Sequence, residues 1–186
     1  MNKAKHMRFT RLLPLLGMFL LLGCDPDPVP QPTGSGASGI TAIVNGAEWA
    51  SSEGRFSVGT RTVTNGASAF VGTGDTLTVI GVQVQGTDTT AIRLSVKLNA
   101  KKAGSYPIRS KSSGQGTAYF YPAGISASAL QQTRQSYATG ITNGELIIST
   151  YDSVNYSVSG NFGFSMSADG NTTYTIVAGK IQNITF

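Results

Sequence analysis

The sequence contains very little of the side-chain chemistry on which most enzymes depend. Its single histidine is His6 and its single cysteine is Cys24, and both lie near the beginning of the chain. The residues after Cys24 therefore supply no imidazole base, no free thiol, and none of the histidine or thiolate ligands of zinc and copper sites. They also lack a G-x-S-x-G turn, a phosphate-binding loop and a dinucleotide-binding glycine pattern. We expect no enzyme activity, no cofactor and no metal.

The excess of basic over acidic residues is confined to the beginning of the chain. The formal net charge is +5, but four basic residues precede Leu12, whereas all nine acidic residues lie at Asp25 or later. From Cys24 onward, basic and acidic side chains almost balance. Nucleic-acid binders need a basic surface that displaces counterions. We therefore expect no nucleic-acid partner.

Long hydrophobic runs are absent, with one short exception near the beginning. A basic segment ends at Arg11, the apolar run Leu12–Leu22 follows it, and the small residue Gly23 comes next. As a helix this run rises only about 16 Å, which is too short to span a bilayer. Residues 1–23 are therefore predicted to be an export signal, and the chain is not expected to be an integral membrane protein.

The end of this signal resembles the lipobox of bacterial lipoproteins. The residues that carry the resemblance are Leu21, Leu22, Gly23 and Cys24. In such proteins the signal is removed and the cysteine, now the first residue, carries the lipid. The resemblance implies that Cys24 is acylated. The alternative is an ordinary signal followed by an incidental cysteine.

The composition of the rest of the chain predicts two further segments, a tether and a folded domain. Residues 24–39 begin with Cys24 and continue as DPDPVPQPTGSGASG, in which alternating prolines favour an extended chain and the glycine and serine residues a flexible one. This segment is predicted to be a tether of roughly 20 Å on average. Residues 40–186 carry the strand patterns and are predicted to form one domain.

Strand patterns dominate the predicted domain. In NYSVSGNFGFSM the apolar residues recur at every second position and are predicted to face inward; they are Tyr156, Val158, Phe162, Phe164 and Met166. AIRLSVKL has the same alternation. TLTVIGVQV and ELIISTY are apolar on both faces over part of their length, which predicts central strands.

Turn signals separate these patterns. Asn45-Gly46, Asn65-Gly66, Asn143-Gly144 and Asp169-Gly170 are predicted to close tight hairpins, and Gly179 to mark a bulge. No segment has the periodicity of an amphipathic helix. We therefore predict an all-β fold of about nine or ten strands, either an antiparallel β-sandwich or a flattened meander barrel.

Four motifs in order resemble a family of uncharacterised Bacteroidetes-type lipoproteins. They are ITAIVNGAEWAS, AGSYPI, YATGITNGELIISTYD and the closing VSGNFGFSMSADG…GKIQNITF. The resemblance implies a lipidated all-β domain, and it implies no mechanism. It also favours the outer membrane over the inner membrane as the location. Under this resemblance, the Asp-Ser/Thr motifs imply O-glycosylation at Thr76, Thr89 or Ser153.

Carboxylates are the one catalytic chemistry that the composition allows. Glu48 and Glu145 lie at predicted strand starts, and two such groups about 5 to 10 Å apart would make a glycosidase pair. Aspartates in apparent turns are more typical of backbone stabilisation. These residues are Asp75, Asp88, Asp152 and Asp169.

Three aromatic residues are candidate ligand contacts. Tyr119 and Tyr121 share one face of the predicted strand TAYFYP, and Trp49 follows the first turn. If exposed, such rings stack on sugars; if buried, they pack in a core.

Three functions follow as expectations. The first is a non-catalytic, lipid-anchored envelope domain that binds a glycan, a small ligand or a protein, and that contacts the membrane through its lipid anchor only. The second is a carboxylate-dependent glycan hydrolase. The third is a structural subunit of a surface assembly, joined through exposed strand edges. The sequence does not specify the oligomeric state.

Overall fold

The computed structural model describes residues 38–52, 56–58, 61–63, 66–109, 116–122, 143–168 and 172–186. All regular elements in these ranges are β-strands, and the predicted all-β class is confirmed. Among the described residues, no helix has the length and apolar composition needed to cross a bilayer. The strands are β1 (Gly39–Val44), β2 (Ala47–Ala50), β3 (Phe56–Val58), β4 (Arg61–Val63), β5 (Ala67–Gly72), β6 (Thr76–Gln85), β7 (Asp88–Lys97), β8 (Gly104–Arg109), β9 (Thr117–Tyr121), β10 (Asn143–Asp152), β11 (Ser157–Ala168) and β12 (Thr172–Thr185).

Two antiparallel sheets form a sandwich. One sheet has six strands in the order β2-β1-β12-β11-β10-β8, and the other has four in the order β5-β6-β7-β9. The strands β3 and β4 pair with each other as a separate ribbon. Of the two predicted architectures, the structure is the sandwich and not the closed barrel. The predicted central positions of TLTVIGVQV and ELIISTY are confirmed, because β6 and β10 each have a partner on both sides.

The core lies between the two sheets and follows the predicted alternation. The inward residues of β7 are buried, as are Phe162, Phe164 and Met166 of β11. Thr41 and Thr78 are the buried polar residues of the described chain. A second, smaller apolar cluster lies on the other face of the four-stranded sheet and includes Ile80 and Tyr121. This cluster explains why β6 is apolar on both faces.

Turn and bulge predictions have mixed outcomes. Asn45 and Gly46 form the β1–β2 turn with positive φ angles of 49° and 84°. The predicted bulge at Gly179 is confirmed, since β12 has one extra residue there relative to both β1 and β11. The prediction for Asn143-Gly144 was wrong: both residues pair with β8 and β11 at the start of β10. A Cβ on Gly144 would overlap the backbone of Gly163, so close strand approach explains this glycine.

The register defines two ends of the six-stranded sheet. The lower end holds the start of β1, the end of β12, the start of β11 and the end of β10, because Gly39 pairs with Gln182, and Ser157 pairs with both Thr185 and Asp152. The upper end holds the β1–β2 turn, the start of β10 and the end of β8. The predicted tether joins the domain at the lower end.

Candidate functional site

A groove crosses the outer face of the six-stranded sheet, on the side away from the core. It has a volume of about 720 Å³ and is lined by residues of β8, β10, β11 and β12. The groove exists because Gly163 has no side chain at an outward position of β11. Residues on the neighbouring strands, including Pro107 and Ile147, project around this position. Ile147 is 43% exposed, which is unusual for a large aliphatic side chain in the middle of a central strand.

The register shows how the strands place these side chains in rows. Gly163 and Pro107 flank Glu145, so they form one row across three strands. Asn161 lies between Ile147 and Lys180 in the next row. Rows on one face of a sheet are separated by about 7 Å. The groove is therefore a long, shallow site that spans two or more rows.

The polar lining of the groove carries both signs of charge. Arg109 and Lys180 contribute cations, and Glu145 contributes a carboxylate to which the Ser105 hydroxyl donates a hydrogen bond. The amides of Asn143 and Asn161 add donors and acceptors for neutral hydroxyl groups. Cations therefore outnumber the carboxylate among the groove residues, and an acidic ligand is electrostatically favoured over a basic one.

The structure keeps the two candidate catalytic glutamates apart. Glu48 lies opposite Ile43 on β1, and β12 and β11 separate β1 from Glu145 on β10. Four strand spacings amount to about 19 Å, which exceeds the separation used by either class of glycosidase. Asp152 is at the other end of β10, about 23 Å from Glu145 along the strand. Among the described residues, histidine, cysteine and acidic side chains form no group of three able to hold a metal.

Two of the three predicted aromatic contacts are buried inside the protein, and the third is half-buried. Trp49 is 3% exposed, and its indole N–H donates a 2.8 Å hydrogen bond to Thr90 Oγ1. Tyr121 is fully buried, and the half-buried Tyr119 packs with it at a ring-centroid distance of 6.1 Å. Neither Trp49 nor Tyr121 offers an open ring face, because each faces an apolar cluster that excludes solvent.

The remaining candidates are distributed over the surface. Ser153 is exposed in the turn between β10 and β11, whereas Thr76 and Thr89 are half-buried at the starts of β6 and β7. Ser153 is therefore the most accessible of the three predicted O-glycosylation positions. Cys24 and Asp169 lie outside the described residues.

Sequence reasoning missed an exposed aromatic residue at the lower end, Tyr156. Tyr156 was predicted to face inward, but it precedes β11 and is 61% exposed with a φ angle of 53°. This left-handed backbone conformation interrupts the alternation that the prediction assumed. Val154, in the same turn, is 81% exposed. The Asn155 side chain between them was the available signal, since Asn favours turns over strands.

Asp152 organises this turn. Its carboxylate accepts hydrogen bonds from the backbone N–H groups of Asn155 at 2.9 Å and Val154 at 2.8 Å, and from Asn155 Nδ2 at 2.6 Å. These bonds, with the Asn155 backbone N–H as the largest contribution, hold the pKa of Asp152 below its ordinary value of 3.8. The charged carboxylate is therefore the form that stabilises the turn.

We expect Asp152→Asn to lower stability at neutral pH but not in strong acid. The pKa is lower in the folded chain than in the unfolded chain, so the stabilisation is complete above the unfolded pKa. It is lost as the pH falls below about 4 and through the folded pKa. Denaturant midpoints of both chains at a series of pH values measure this effect. An equal difference at neutral and strongly acid pH would contradict the assignment.

Comparisons with known proteins identify no relative of this chain. No family model, no curated protein and no solved structure matches the chain.

Proposed function

We propose that this protein is a non-catalytic, lipid-anchored envelope domain that binds an acidic glycan in the groove of its six-stranded sheet. The groove carries the proposal: it is open, elongated, and lined by two cations and two amides beside a glycine floor. Amide groups pair with sugar hydroxyls, and Arg and Lys pair with carboxylate or sulfate substituents. The lipid anchor at Cys24 and the outer-membrane location rest on the lipobox and family resemblances.

The geometry favours binding over hydrolysis. The described carboxylate in the groove is Glu145, and the second glutamate considered for a pair, Glu48, is four strands away. Hydrolysis of a glycoside normally requires a second carboxylate within about 10 Å. A single carboxylate engaged by the Ser105 hydroxyl is better suited to orienting a ligand.

The geometry also does not favour assembly through the edges of the six-stranded sheet. On one edge of the six-stranded sheet, β2 has only four residues. On the other edge, Arg109 N donates to Gly116 O at 2.9 Å and Gly116 N donates to Pro107 O at 3.1 Å. Short or hydrogen-bonded edges leave little room for a partner strand.

Gly163→Leu is expected to abolish glycan binding and leave the fold intact. A Cβ at this position would meet only the carbonyl oxygen of Ile176 at 3.5 Å, which is an ordinary contact. The larger side chain would therefore occupy the groove rather than displace the backbone. Binding of the detergent-solubilised full chain to an array of acidic and neutral oligosaccharides, followed by titration of the best ligand, measures the effect.

Thr173→Leu is the matched control, because Thr173 is exposed on β12 outside the groove. It should bind the same oligosaccharides as the unsubstituted chain. The proposal fails if Gly163→Leu retains full affinity, or if no acidic oligosaccharide binds. Binding of extended peptides in place of oligosaccharides would assign the groove to a protein ligand.

A further inference from the structure

Aromatic and aliphatic residues with two exposed members lie at the lower end of the six-stranded sheet. This lower tip consists of the exposed Val154 and Tyr156 and of Tyr151 and Phe186, which are partly buried and pack against the core. The Tyr151 and Phe186 ring centroids are 4.9 Å apart, and Tyr156 meets Phe186 edge-on at 6.1 Å. Val154 and Tyr156 are the two most exposed large hydrophobic residues of the described chain. Exposed aromatic and aliphatic side chains that lie together are candidates for contact with another surface.

The backbone holds the lower tip in one conformation. Three hydrogen bonds to Asp152 fix the turn, and Phe186 N donates a 2.8 Å hydrogen bond to Tyr156 O. Tyr156 adopts a left-handed φ angle, which is unfavourable for a bulky residue. The turn therefore presents the Tyr156 and Val154 side chains outward at a conformational cost.

Lysine residues border the tip. Lys102 Nζ lies 4.9 Å from the centre of the Tyr151 ring, and Lys101 beside it is exposed. The loop that carries them is held by hydrogen bonds from Lys102 N to Asn99 Oδ1 and from Tyr106 Oη to Lys102 O. Asp152 is the carboxylate in the same region, and its oxygens are occupied by the turn hydrogen bonds. Exposed aromatic rings bordered by lysine are typical of the interface of a lipid bilayer.

The predicted tether enters the domain at this same end. Gly39 begins β1, and β12 separates β1 from β11, which is about 10 Å across the sheet. Gly39 pairs with Gln182 and Ser157 with Thr185, an offset of about 10 Å along β12, so Gly39 lies about 14 Å from the start of β11. Thirteen residues, 25–37, connect Cys24 to the domain, and a chain of this length spans at most about 45 Å. A lipid on Cys24 would therefore hold the lower end of the sandwich close to the bilayer.

We infer that the lower tip contacts the surface of the bilayer. Val154 and Tyr156 enter the headgroup layer, and Lys101 and Lys102 approach the lipid phosphates. This contact adds to the lipid anchor, and the inference rests on the anchor that is part of the proposed function. It fixes the orientation of the sandwich: the upper end, where Arg109 and Asn143 line the groove, points away from the membrane.

The inference is tested with the lipidated full chain in vesicles of phosphatidylethanolamine and phosphatidylglycerol whose acyl chains carry bromine near the headgroup. Bromine quenches indole fluorescence only at short range. The test variant is Tyr156→Trp, and the control is Val177→Trp, which alters a 38% exposed residue of β12 far from the tip. The unsubstituted chain gives the background signal of the buried Trp49.

We expect the indole of Tyr156→Trp to shift to shorter wavelength and to be quenched by at least about twofold, as at a membrane interface. The indole of Val177→Trp should be unaffected. Absence of quenching in Tyr156→Trp, or equal quenching in both variants, overturns the inference. A wavelength shift without bromine quenching also overturns it, and indicates that protein covers the tip. Flotation of the vesicles tests the anchor separately: a chain that does not float contradicts both proposals, whereas a floating, unquenched chain contradicts only this one.

Discussion

Trp49→Ala is expected to lower the free energy of unfolding by about 3–5 kcal/mol, the usual cost of removing a large buried aromatic residue. The Trp49 indole joins the two sheets at the edge of the sandwich. Its N–H bonds to Thr90 of β7, and its ring packs on Gly81 of β6, where an added Cβ would lie 3.0 Å from Trp49 Cη2. Alanine would leave a cavity between β2 and the four-stranded sheet. It would also leave the Thr90 hydroxyl with a long, 3.4 Å hydrogen bond to Gln83 Oε1 in place of its 2.8 Å bond to the indole.

Denaturant unfolding measures this effect, and two variants separate its causes. Trp49→Phe keeps most of the apolar packing and loses the indole hydrogen bond, so we expect a smaller cost of about 1–2 kcal/mol. Val177→Ala changes an exposed residue of the same sheet and should cost less than about 0.5 kcal/mol. A Trp49→Ala chain within about 1 kcal/mol of the unsubstituted chain would show that the indole does not join the sheets.

Cys24→Ser is expected to move the protein from the membrane fraction to the soluble fraction. A serine hydroxyl does not replace the thiol that would receive the lipid, so the anchor is lost. The described domain begins at Ser38, and the β-sandwich should fold unchanged. The contact of the lower tip involves too few apolar residues to hold the domain alone, since stable membrane attachment normally requires more than one weak signal.

Cell fractionation with a high-salt wash measures the distribution, and circular dichroism of the released chain checks the fold. Thr33→Ala is the control, because Thr33 lies in the predicted tether and should leave the protein in the membrane fraction. A Cys24→Ser chain that stays with the washed membranes would contradict the anchor.

Local periodicity accounts for the part of the fold that the sequence predicts. Alternation in β7 and β11 specified which side chains face the core, since a shift of one residue would expose every apolar group. The apolar runs in β6 and β10 marked the central strands for the same reason. Gly179 was predicted to lie at a bulge, and the structure places it there. A Cβ on this residue would collide with the Phe162 ring, which explains why the position is a glycine.

Features that depend on long-range pairing were not predicted. The groove requires Pro107 of β8 to lie beside Glu145 of β10, and these two residues are 38 positions apart in the sequence. The pattern of a strand also does not show whether other side chains cover an aromatic residue on its outer face. Tyr121 is buried because the outer face of the four-stranded sheet carries its own apolar cluster.

Positive backbone angles account for the remaining differences. Tyr156 has the spacing of an inward residue, yet its left-handed conformation places it on the surface. Bulky residues adopt this conformation rarely, so periodicity alone assigns them to the wrong side. The lower tip was therefore visible only in the structure.

The intact mass of the protein purified from its native membranes tests the anchored β-sandwich most directly. We expect a chain that begins at Cys24 and carries the added mass of acyl groups on that residue, with any glycan at Ser153 as a further increment. A mass that corresponds to an unmodified Cys24, or to a chain that begins at another residue, would contradict the anchor and the membrane orientation that depends on it.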